Sequence, residues 1–431
     1  MNESELRCLL ADLSLEEKIG QMIQLPGYFQ NAGNITGPAN DMGFTQDDLR
    51  FAGSYLSIIG AEKLRQMQTE FMAQHPHHIP LLFMADIING YRTVFPIPLA
   101  QACTFDPDLI EKSAAVAARE AAVSGLHVTF SPMADLVRDA RWGRVMESAG
   151  EDPFLSGQVA AAMVRGYQGH DLREPGKVAA CLKHFAGYGA PDGGRDYNTV
   201  ELSERTLRED YLPAYQAAVR AGCELVMTSF NTLNRIPSAA NEWLLREVLR
   251  REMGFEGMVI SDWNALQELL AHGIAENPSE AAFVALRAGV DMDMVSPIYA
   301  KNLKELAEKG DVITVHMADK YGDQGLVAVL ILKYDCDQAD IDTFLMSCRV
   351  MGRNAENEIL GRVKNLFQSK GVKSVHAAYI KTAKNAPVES LFEKLGFSIT
   401  GQEEGHKEYS ASIDELPTTT GVFKDVVEVW A

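Results

Sequence analysis

Short apolar runs alternate with amphipathic stretches over the first 300 residues. The run Met258–Ile260 is apolar at every position, as is typical of a strand buried on both faces of a parallel sheet. The other predicted strands are Tyr55–Ile59, Ile79–Ala85, Val128–Ser131, Val178–Leu182, Leu225–Thr228 and Val290–Met292. Helical spacing of apolar residues predicts helices at Leu15–Met22, Ala61–Gln74, Asp108–Ser124, Pro153–Tyr167, Ser203–Ala221, Glu242–Glu252, Ala265–His272, Pro278–Ala288 and Ala300–Lys309.

This alternation predicts an α/β fold with a parallel sheet and right-handed crossovers. About eight strand–helix units in roughly 300 residues match the size of a (β/α)8 TIM-like barrel. A doubly wound open sheet is the alternative, but no Gly-x-Gly-x-x-Gly turn follows the first strand. In both architectures ligands bind at the carboxyl ends of the strands.

The pattern changes beyond Gly310. Strands with tight acidic turns come first, followed by a helix, a strand and a helix, which indicates a small α+β domain. The predicted strands are Val312–Val315, Leu326–Leu332, Ile341–Met346 and Ser374–Tyr379, and the helices are Asn354–Lys370 and Pro387–Leu395. We therefore expect two domains, 1–310 and 311–431.

Composition narrows the class of protein. The 431 residues carry a net charge of −19, which argues against a nucleic-acid partner or an anionic membrane surface. Six cysteines show no Cys-x-x-Cys spacing, so we expect buried thiols. No His and carboxylate spacing matches a metal-binding motif such as His-Glu-x-x-His, so no metal is expected. The acidic N-terminus lacks signal-peptide features, which predicts a cytoplasmic protein, although a removed leader would leave the same sequence.

Polar side chains collect where the predicted strands end. Asp262 follows the strand Met258–Ile260, and Trp263 could give a sugar ring an apolar platform. A lone Asp after a strand is more often a helix cap, and Arg144 could simply pair with Asp139 or Glu147. Charged side chains next to a core must each find a partner, so a purely structural role is difficult to justify for so many of them together. The residues expected at the rim are Asp86, Arg92, Arg144, Lys183, His184 and Asp262.

Several of these residues lie in motifs through which residues 1 to about 310 resemble glycoside hydrolase family 3, the β-glucosidase and exo-β-glycosidase family. The motifs are Leu15-Glu16-Glu17-Lys18-Ile19-Gly20-Gln21-Met22, Asn89-Gly90-Tyr91-Arg92-Thr93, Phe95-Pro96, Arg141-Trp142-Gly143-Arg144, Gly150-Glu151-Asp152-Pro153, Lys183-His184-Phe185-Ala186-Gly187-Tyr188-Gly189, Gly194-Arg195-Asp196-Tyr197-Asn198 and Ser261-Asp262-Trp263.

The resemblance implies a retaining mechanism in which Asp262 is the nucleophile. An Asp flanked by Lys and Arg is expected to keep a low pKa and so to stay ionised. The resemblance also implies that a set of side chains binds the non-reducing sugar of a β-glucoside. These residues are Asp86, Arg92, Arg144, Lys183, His184, Met227 and Trp263.

The general acid cannot be assigned from the sequence. A retaining enzyme needs a second carboxyl group about 5–5.5 Å from the first. In most β-glucosidases of the family, this second carboxyl group lies on a further α/β domain. No part of this sequence resembles that domain. The N-acetylhexosaminidase branch carries a His-Asp pair after the Lys-His-Phe motif. The corresponding loop here, Gly189 to Arg195, contains no His.

Residues 311 to about 412 resemble the acetyltransferase-like (GNAT) module at the end of FkbH-type proteins. The matching runs are Asp319–Leu326, Ile341–Arg353, Thr382–Val388 and Leu395–Phe397. The resemblance implies an acyl-CoA site at Arg349, Gly352 and Asn385. Two departures argue against acyl transfer, because Asn354 stands where Gly or Ala is usual and Phe392 where a Tyr acid often lies. The opening strand and two helices of that fold also have no counterpart.

Three functions follow from these patterns. We favour a retaining exo-β-glycosidase whose partner is a small or oligosaccharide β-glycoside, with no cofactor required. The alternatives are an acyl-CoA-dependent acyltransferase with a sugar-binding barrel, and a barrel that only binds glycan. A natural fusion, an engineered chimera or an assembly error would each produce the junction at Gly310.

Overall fold

The chain forms two compact units that divide after Lys304. The computed structural model describes residues 3–27, 44–45, 48, 50–319, 322–346, 354–381, 385, 388–403 and 405–419. Within these ranges, no helix has the length and apolar character that crossing a membrane requires.

The first unit alternates strands and helices. Its strands are β1 Ile23–Pro26, β2 Ser54–Leu56, β3 Leu82–Ala85, β4 Val128–Thr129, β5 Ala179–Phe185, β6 Leu225–Thr228, β7 Thr232–Leu233, β8 Ile236–Pro237, β9 Met258–Ile260 and β10 Asp293–Met294. Its helices are α1 Glu3–Asp12, α2 Leu15–Gln21, α3 Ala61–Gln74, α4 Pro98–Ala102, α5 Pro107–Val123, α6 Pro153–Gln168, α7 (Glu204–Thr206, π-helical Leu207–Tyr211 and Leu212–Arg220), α8 Trp243–Glu252 (π-helical), α9 Ala265–Ala271, α10 Pro278–Ala288 and α11 Ile298–Lys309.

Eight of the strands form one parallel sheet in the order β10-β1-β2-β3-β4-β5-β6-β9. A parallel bridge between Ile260 and Met292 joins the two ends, so the sheet curves into a nearly closed barrel. Because all strands run the same way, their carboxyl ends share one rim. The (β/α)8 prediction is therefore confirmed, and the open-sheet alternative is wrong.

Large apolar side chains fill the inside of the barrel. Met84, Phe130, Cys181 and Ile260 are fully or almost fully buried within one cluster. Flexible methionine side chains occupy irregular space between strands, and Met227, Met292 and Met294 belong to the same cluster. The interior is thus a packed core, and binding groups must lie at the rim above it.

Three strand predictions need correction. The strand β1 was not predicted, because Ile23-Gln24-Leu25-Pro26 carries a Gln and a Pro in a four-residue run. The last barrel strand lies at Asp293–Met294 and not at Val290–Met292, since a buried aspartate interrupts the apolar pattern. Finally, β5 continues to Phe185, so Lys183 and His184 belong to the strand itself and do not follow it.

The second unit contains a six-stranded sheet and two helices. The strands are β11 Gly310–Asp319, β12 Gly322–Asp335, β13 Gln338–Met346, β14 Ser374–Ile380, β15 Ser398–Glu403 and β16 His406–Ser412, and the helices are α12 Ala355–Ser369 and α13 Leu391–Lys394. The order is β11-β12-β13-β14-β16-β15, in which only β13 and β14 pair in parallel. Leu330, Leu360, Phe367 and Val375 are among the fully buried residues of its core. The strands β15 and β16 were not predicted, since both are largely polar.

Asp293 is a buried acid at the end of the barrel sheet. Its side chain accepts hydrogen bonds from Ser296 Oγ (2.6 and 2.7 Å) and from the Tyr299 amide (3.1 Å). Burial nevertheless raises the pKa of Asp293 to about 7. A carboxyl group with a raised pKa stabilises the fold while it is protonated, and that contribution is lost as the pH rises from the unfolded to the folded value.

We predict that Asp293→Asn removes this pH dependence, because an amide is neutral and can keep the contacts of the protonated acid. Between pH 5 and pH 7, the wild type should lose stability relative to the variant by up to about 1.4 kcal/mol per pH unit. Denaturant unfolding followed by tryptophan fluorescence measures this difference. The exposed substitution Asp108→Asn serves as the control, and a constant offset between wild type and Asp293→Asn would contradict the prediction.

Candidate active site

Asp262 lies two residues beyond the end of β9, on the rim of the barrel. The preceding residue fixes this turn, since Ser261 Oγ accepts a hydrogen bond from the Met294 amide (2.8 Å). One carboxylate oxygen of Asp262, Oδ1, accepts the Trp263 N–H (2.6 Å). The other, Oδ2, is buried and has no hydrogen-bond partner among the described residues. This second oxygen is therefore the one available for chemistry.

His184, beside Asp262, is held by two hydrogen bonds to Asp135. The loop after β4 runs along β5, where the Ala134 amide donates to Lys183 O (2.7 Å). Asp135 Oδ2 then accepts both the His184 amide (2.9 Å) and His184 Nδ1 (2.8 Å). Because the carboxylate accepts at Nδ1, that nitrogen carries the proton, and Nε2 faces Asp262.

The distance from His184 Nε2 to Asp262 Oδ2 is 3.5 Å. This is within the range of a charge interaction but is not a hydrogen bond by its geometry, which agrees with the unpartnered state of Oδ2. Behind the histidine, Tyr215 O–H donates to Asp135 Oδ1 (3.0 Å) and to His184 O. A buried chain of Tyr215, Asp135 and His184 thus orients one ring nitrogen toward the free carboxylate oxygen.

Two further cations line the same rim. Lys183 Nζ lies 2.7 Å from Asp86 Oδ1 and 3.9 Å from Glu147 Oε2. Arg144 forms a two-pronged pair with Glu147, at 2.8 Å (Nε) and 3.0 Å (second nitrogen). The alternative partner Asp139 pairs instead with Arg141. The side chain of Asp86 is half exposed whereas that of Lys183 is buried, so Asp86 is the member of this pair that solvent can reach.

An aromatic wall stands next to His184. The rings of Tyr188 and His184 are 5.1 Å apart, and Tyr188 also meets Trp142 edge-on at 5.4 Å. Phe230 and the exposed Tyr197 extend the wall, with ring centroids 4.7 Å apart. Trp142, Tyr188 and Phe230 are buried whereas Tyr197 is exposed. Tyr197 is therefore the ring of this wall that can offer apolar surface to the carbon-bound face of a sugar, beside charged groups that bind hydroxyls.

The pKa of Asp262 departs from expectation. Burial raises it above its usual range, and His184, the Trp263 amide, Lys183 and Arg144 offset this only in part. The expected low pKa is therefore wrong, because the loss of hydration around a buried carboxylate outweighs the attraction of nearby cations. Glu147 shows the opposite balance. Burial alone would raise its pKa, but the direct hydrogen bond and charge of Arg144 lower it.

The sequence profile of the glycosyl hydrolase family 3 N terminal domain matches residues 14–322. The chain belongs to glycosyl hydrolase family 3. Its barrel is the matched part, and the motifs that surround Asp262, Lys183 and Arg144 all lie inside it.

Several relatives and solved structures are similar to this family 3 chain. It is 39% identical over 329 residues to a periplasmic beta-glucosidase of Salmonella typhimurium, which covers 76% of this chain and 41% of the relative. It is 38% identical over 307 residues to a beta-xylosidase of Formosa agariphila, covering 65% and 42% respectively. The chain thus spans less than half the length of these relatives.

Two of the solved structures that are similar to this chain are of a beta-glucosidase. The beta-glucosidase of Listeria innocua in complex with isofagomine matches with a TM-score of 0.68 and 49% identity, covering 72% of this chain and 43% of that one. A mutant of the Listeria enzyme in complex with laminaribiose matches with a TM-score of 0.70 and 48% identity, covering 72% and 44%.

The family 3 barrel brings together five of the residues proposed from sequence, namely Asp86, Arg144, Lys183, His184 and Asp262. Three others are placed differently. Arg92 lies on an exposed turn held through its amide by Glu120 (2.8 Å), and within the described ranges its side chain forms no hydrogen bond or ion pair with the other five. Met227 is buried in the barrel interior. The side chain of Trp263 is exposed beside Asp262.

The proposed acyl-CoA residues lie in the second unit. Arg349 and Gly352 are outside the described residues. Asn385 is held by its neighbours, since its Oδ1 accepts from Tyr379 O–H (3.1 Å) and its Nδ2 donates to Ile380 O (2.8 Å).

Four site residues were not proposed from sequence, namely Asp135, Glu147, Tyr215 and Phe230. Asp135 could have been found, because it follows the predicted strand Val128–Ser131 in the manner of Asp86 and Asp262. Tyr215 and Phe230 give no such signal. Tyr215 lies in a helix 80 residues from its partner Asp135, and Phe230 lies in a loop 42 residues from its partner Tyr188. Only the folded chain brings these pairs together.

We predict that Asp135→Asn destabilises the barrel by about 1–3 kcal/mol, because a buried carboxylate that accepts from His184 and Tyr215 is lost. Asp86→Asn is the matched control on the same rim. Its side chain is 52% exposed, and an amide oxygen at that position can still accept from the buried Lys183, so the cost should be smaller than that of Asp135→Asn. Denaturant unfolding of both variants gives the comparison, and equal costs would show that Asp135 does not anchor His184.

Proposed function

We propose that the chain is a retaining exo-β-glycosidase that removes terminal non-reducing β-D-glucosyl residues through a covalent glycosyl ester on Asp262. The observation that carries this proposal is the state of Asp262 Oδ2, which is buried, has no hydrogen-bond partner among the described residues and lies 3.5 Å from His184 Nε2. A structural aspartate would have both oxygens engaged. Family membership and the β-glucosidase relatives support the same reaction.

The roles of the other residues follow from their chemistry. Asp86, Lys183, His184 and Arg144 would bind the hydroxyl groups of the sugar, since charged donors and acceptors form strong hydrogen bonds with vicinal hydroxyls. Lys183 and Arg144 would also stabilise Asp262 as a carboxylate when substrate arrives. Trp263 would pack against the sugar. Contacts of the sugar with Arg92 and Met227 stay predictions, because Arg92 lies on an exposed turn and Met227 lies inside the barrel.

The proposed reaction has two steps, formation of the glycosyl ester and its hydrolysis. In the first step the Asp262 carboxylate attacks the anomeric carbon as the bond to the leaving-group oxygen breaks. In the second step water cleaves the ester and restores the carboxylate. Both steps pass through an oxocarbenium-like transition state, whose positive charge favours a nearby anion.

Protonation of the leaving group is the step for which the described residues provide no evident proton donor. The rim carboxylates Asp86, Asp135 and Glu147 are each committed to a cation or a histidine. A carboxylate whose pKa is lowered by Arg144, as in Glu147, is a poor proton donor. We therefore propose that departure of the leaving group limits turnover of ordinary glucosides by this chain.

The hypothesis that the barrel only binds glycan is not favoured. Glycan binding alone would not require a buried carboxylate oxygen that lacks a hydrogen-bond partner.

We predict that a 2-deoxy-2-fluoro glucoside with a dinitrophenyl leaving group esterifies Asp262, because this leaving group departs without an acid. Intact-mass measurement should show one sugar adduct, which peptide sequencing places within residues 257–265. Asp262→Ala should show none. Ordinary alkyl glucosides should turn over far more slowly than dinitrophenyl glucoside, since only the former need a proton.

Two outcomes would contradict the proposal. An adduct that persists in Asp262→Ala, or no adduct in the wild type, would remove Asp262 as the nucleophile. Equal rates on alkyl and dinitrophenyl glucosides would show that a general acid is present. Glu268 would then be the first residue to substitute, because burial and, secondly, the charge of Asp262 raise its pKa.

We also propose that the second unit is a partial GNAT-like module. The element order supports this, since three antiparallel strands precede helix α12, which crosses to the parallel strand β14. Helix α12 is long enough to offer amide groups at its N-terminus, where a pyrophosphate could bind. The buried Phe392 supplies no proton, so we propose acyl-CoA binding without acyl transfer.

Acetyl-CoA should therefore raise the melting temperature of the second unit's transition by mass action. Differential scanning calorimetry at increasing acetyl-CoA concentration measures this, with 3′-dephospho-CoA and ATP as matched ligands that test for adenine-nucleotide binding alone. No shift at millimolar acetyl-CoA would remove the acyl-CoA proposal without touching that for the barrel.

A further inference from the structure

Two histidines and a glutamate converge at the end of the barrel opposite Asp262. Glu17 lies in α2, which leads directly into β1, and His75 and His77 lie in the turn between α3 and β3. Residues that precede strands lie at the amino-terminal end of a barrel, whereas the active site uses the carboxyl end. One ligand atom from each of the three residues lies within 4.8 Å of the other two.

The orientation of the donor atoms is specific. Glu17 Oε1 lies 2.7 Å from His77 Nδ1 and 3.8 Å from His75 Nδ1. The His77 amide donates to His75 Nδ1 (3.2 Å). Accepting this bond requires Nδ1 of His75 to be the unprotonated ring nitrogen, and a cation bound there would replace the His77 amide on the single lone pair of that nitrogen.

The outer atoms of the ligands are also held. Glu17 Oε2 accepts the Ser14 amide (2.9 Å), which fixes the carboxylate and leaves Oε1 toward the histidines. His77 Nε2 lies 3.1 Å from Asp12 Oδ2. A carboxylate that accepts from the far ring nitrogen orients and strengthens a histidine that binds metal through its other nitrogen.

We infer that Glu17 Oε1, His75 Nδ1 and His77 Nδ1 form a binding site for a divalent cation of the Zn²⁺ class. Two imidazole nitrogens and one carboxylate oxygen are the donors that zinc prefers. With metal–ligand bonds of about 2.0–2.1 Å, tetrahedral ligand atoms stand about 3.3–3.4 Å apart, which lies between the two separations from Glu17. On binding, the proton between His77 Nδ1 and Glu17 leaves to solvent.

The remaining coordination position would take water. Glu17 and His75 have side chains that are almost fully buried, but 22% of the His77 side chain is exposed, which gives the cation a path from solvent. The cation would join α2 to the turn before β3, and through Asp12 it would also tie in α1. Such a link stabilises the barrel from its far end and takes no part in the chemistry at Asp262.

The alternative is a purely hydrogen-bonded link, in which a protonated His77 bridges Asp12 and Glu17 without a metal. His75 Nε2 has no hydrogen-bond partner among the described residues, and burying it costs free energy in both alternatives. A cation at Nδ1 would leave Nε2 unpartnered but would add a favourable interaction to the same ring. The two alternatives therefore differ in whether the purified chain takes up a divalent cation.

Cobalt substitution tests the site on the full chain after treatment with EDTA. Co²⁺ in a tetrahedral nitrogen and oxygen site gives visible d–d bands, and thiolate ligands would add charge-transfer bands in the near ultraviolet. We expect about one equivalent of Co²⁺ with d–d bands and no thiolate bands. Zn²⁺ should displace it and raise the melting temperature of the barrel.

Three variants make the test specific. His77→Gln should abolish the bands and weaken Zn²⁺ binding at least about 100-fold, whereas Asp12→Asn, which alters only the outer carboxylate, should weaken it about 10- to 100-fold. His78→Asn removes the neighbouring imidazole, which binds Met72 O, and should change nothing. Circular dichroism in EDTA checks that each variant is folded.

The proposal fails if Co²⁺ does not bind, if its bands persist in His77→Gln, or if thiolate bands dominate. The rate of adduct formation at Asp262 should be the same with Zn²⁺ and with EDTA. This separates the metal site from the proposed glycosidase function, because either can fail while the other stands.

Discussion

The contact between Asp135 and His184 is the interaction on which the rim depends. Asp135 Oδ2 accepts from both the main chain and the ring of His184, so one buried carboxylate fixes the position and the tautomer of the imidazole together. The loop after β4 reaches this point because it runs in parallel register beside β5, where Met133 bridges to Lys183. The path of the loop and the orientation of the ring are therefore set by the same few hydrogen bonds.

Charge at the rim is balanced in pairs, with Asp262 as the exception. Arg144 is matched by Glu147 and Lys183 by Asp86, and each pair lowers the cost of burying its members. Among the described residues, Asp262 has no ionic partner of its own at hydrogen-bond distance, and burial raises its pKa. The barrel thus concentrates the electrostatic cost of the site on a single carboxyl group, and carboxyl groups with pKa values raised in this way are common at functional sites.

The architecture was predictable from sequence because parallel barrel strands are apolar on both faces, as Leu225–Thr228 and Met258–Ile260 show. The prediction failed where that rule has exceptions, as at Asp293 in β10 and at Gln24 in β1. The rim acids and cations after or within strands, such as Asp262 and Lys183, were predictable for the same reason. Tyr215, Phe230 and the pairing of Glu17 with His77 were not, since each depends on contacts between segments that are far apart in the chain.

The join between β9 and β10 has a consequence for how the barrel moves. Backbone hydrogen bonds join the two segments on both sides of the Ile260–Met292 bridge. They run from the Asp291 and Met292 amides to Val259 O, from the Ser261 amide to Met292 O and from the Asn264 amide to Met294 O, and the Ser261 hydroxyl accepts the Met294 amide. The main chain on both sides of Asp262 is therefore tied to the last barrel segment, so any separation of the two strands would carry the carboxylate with it.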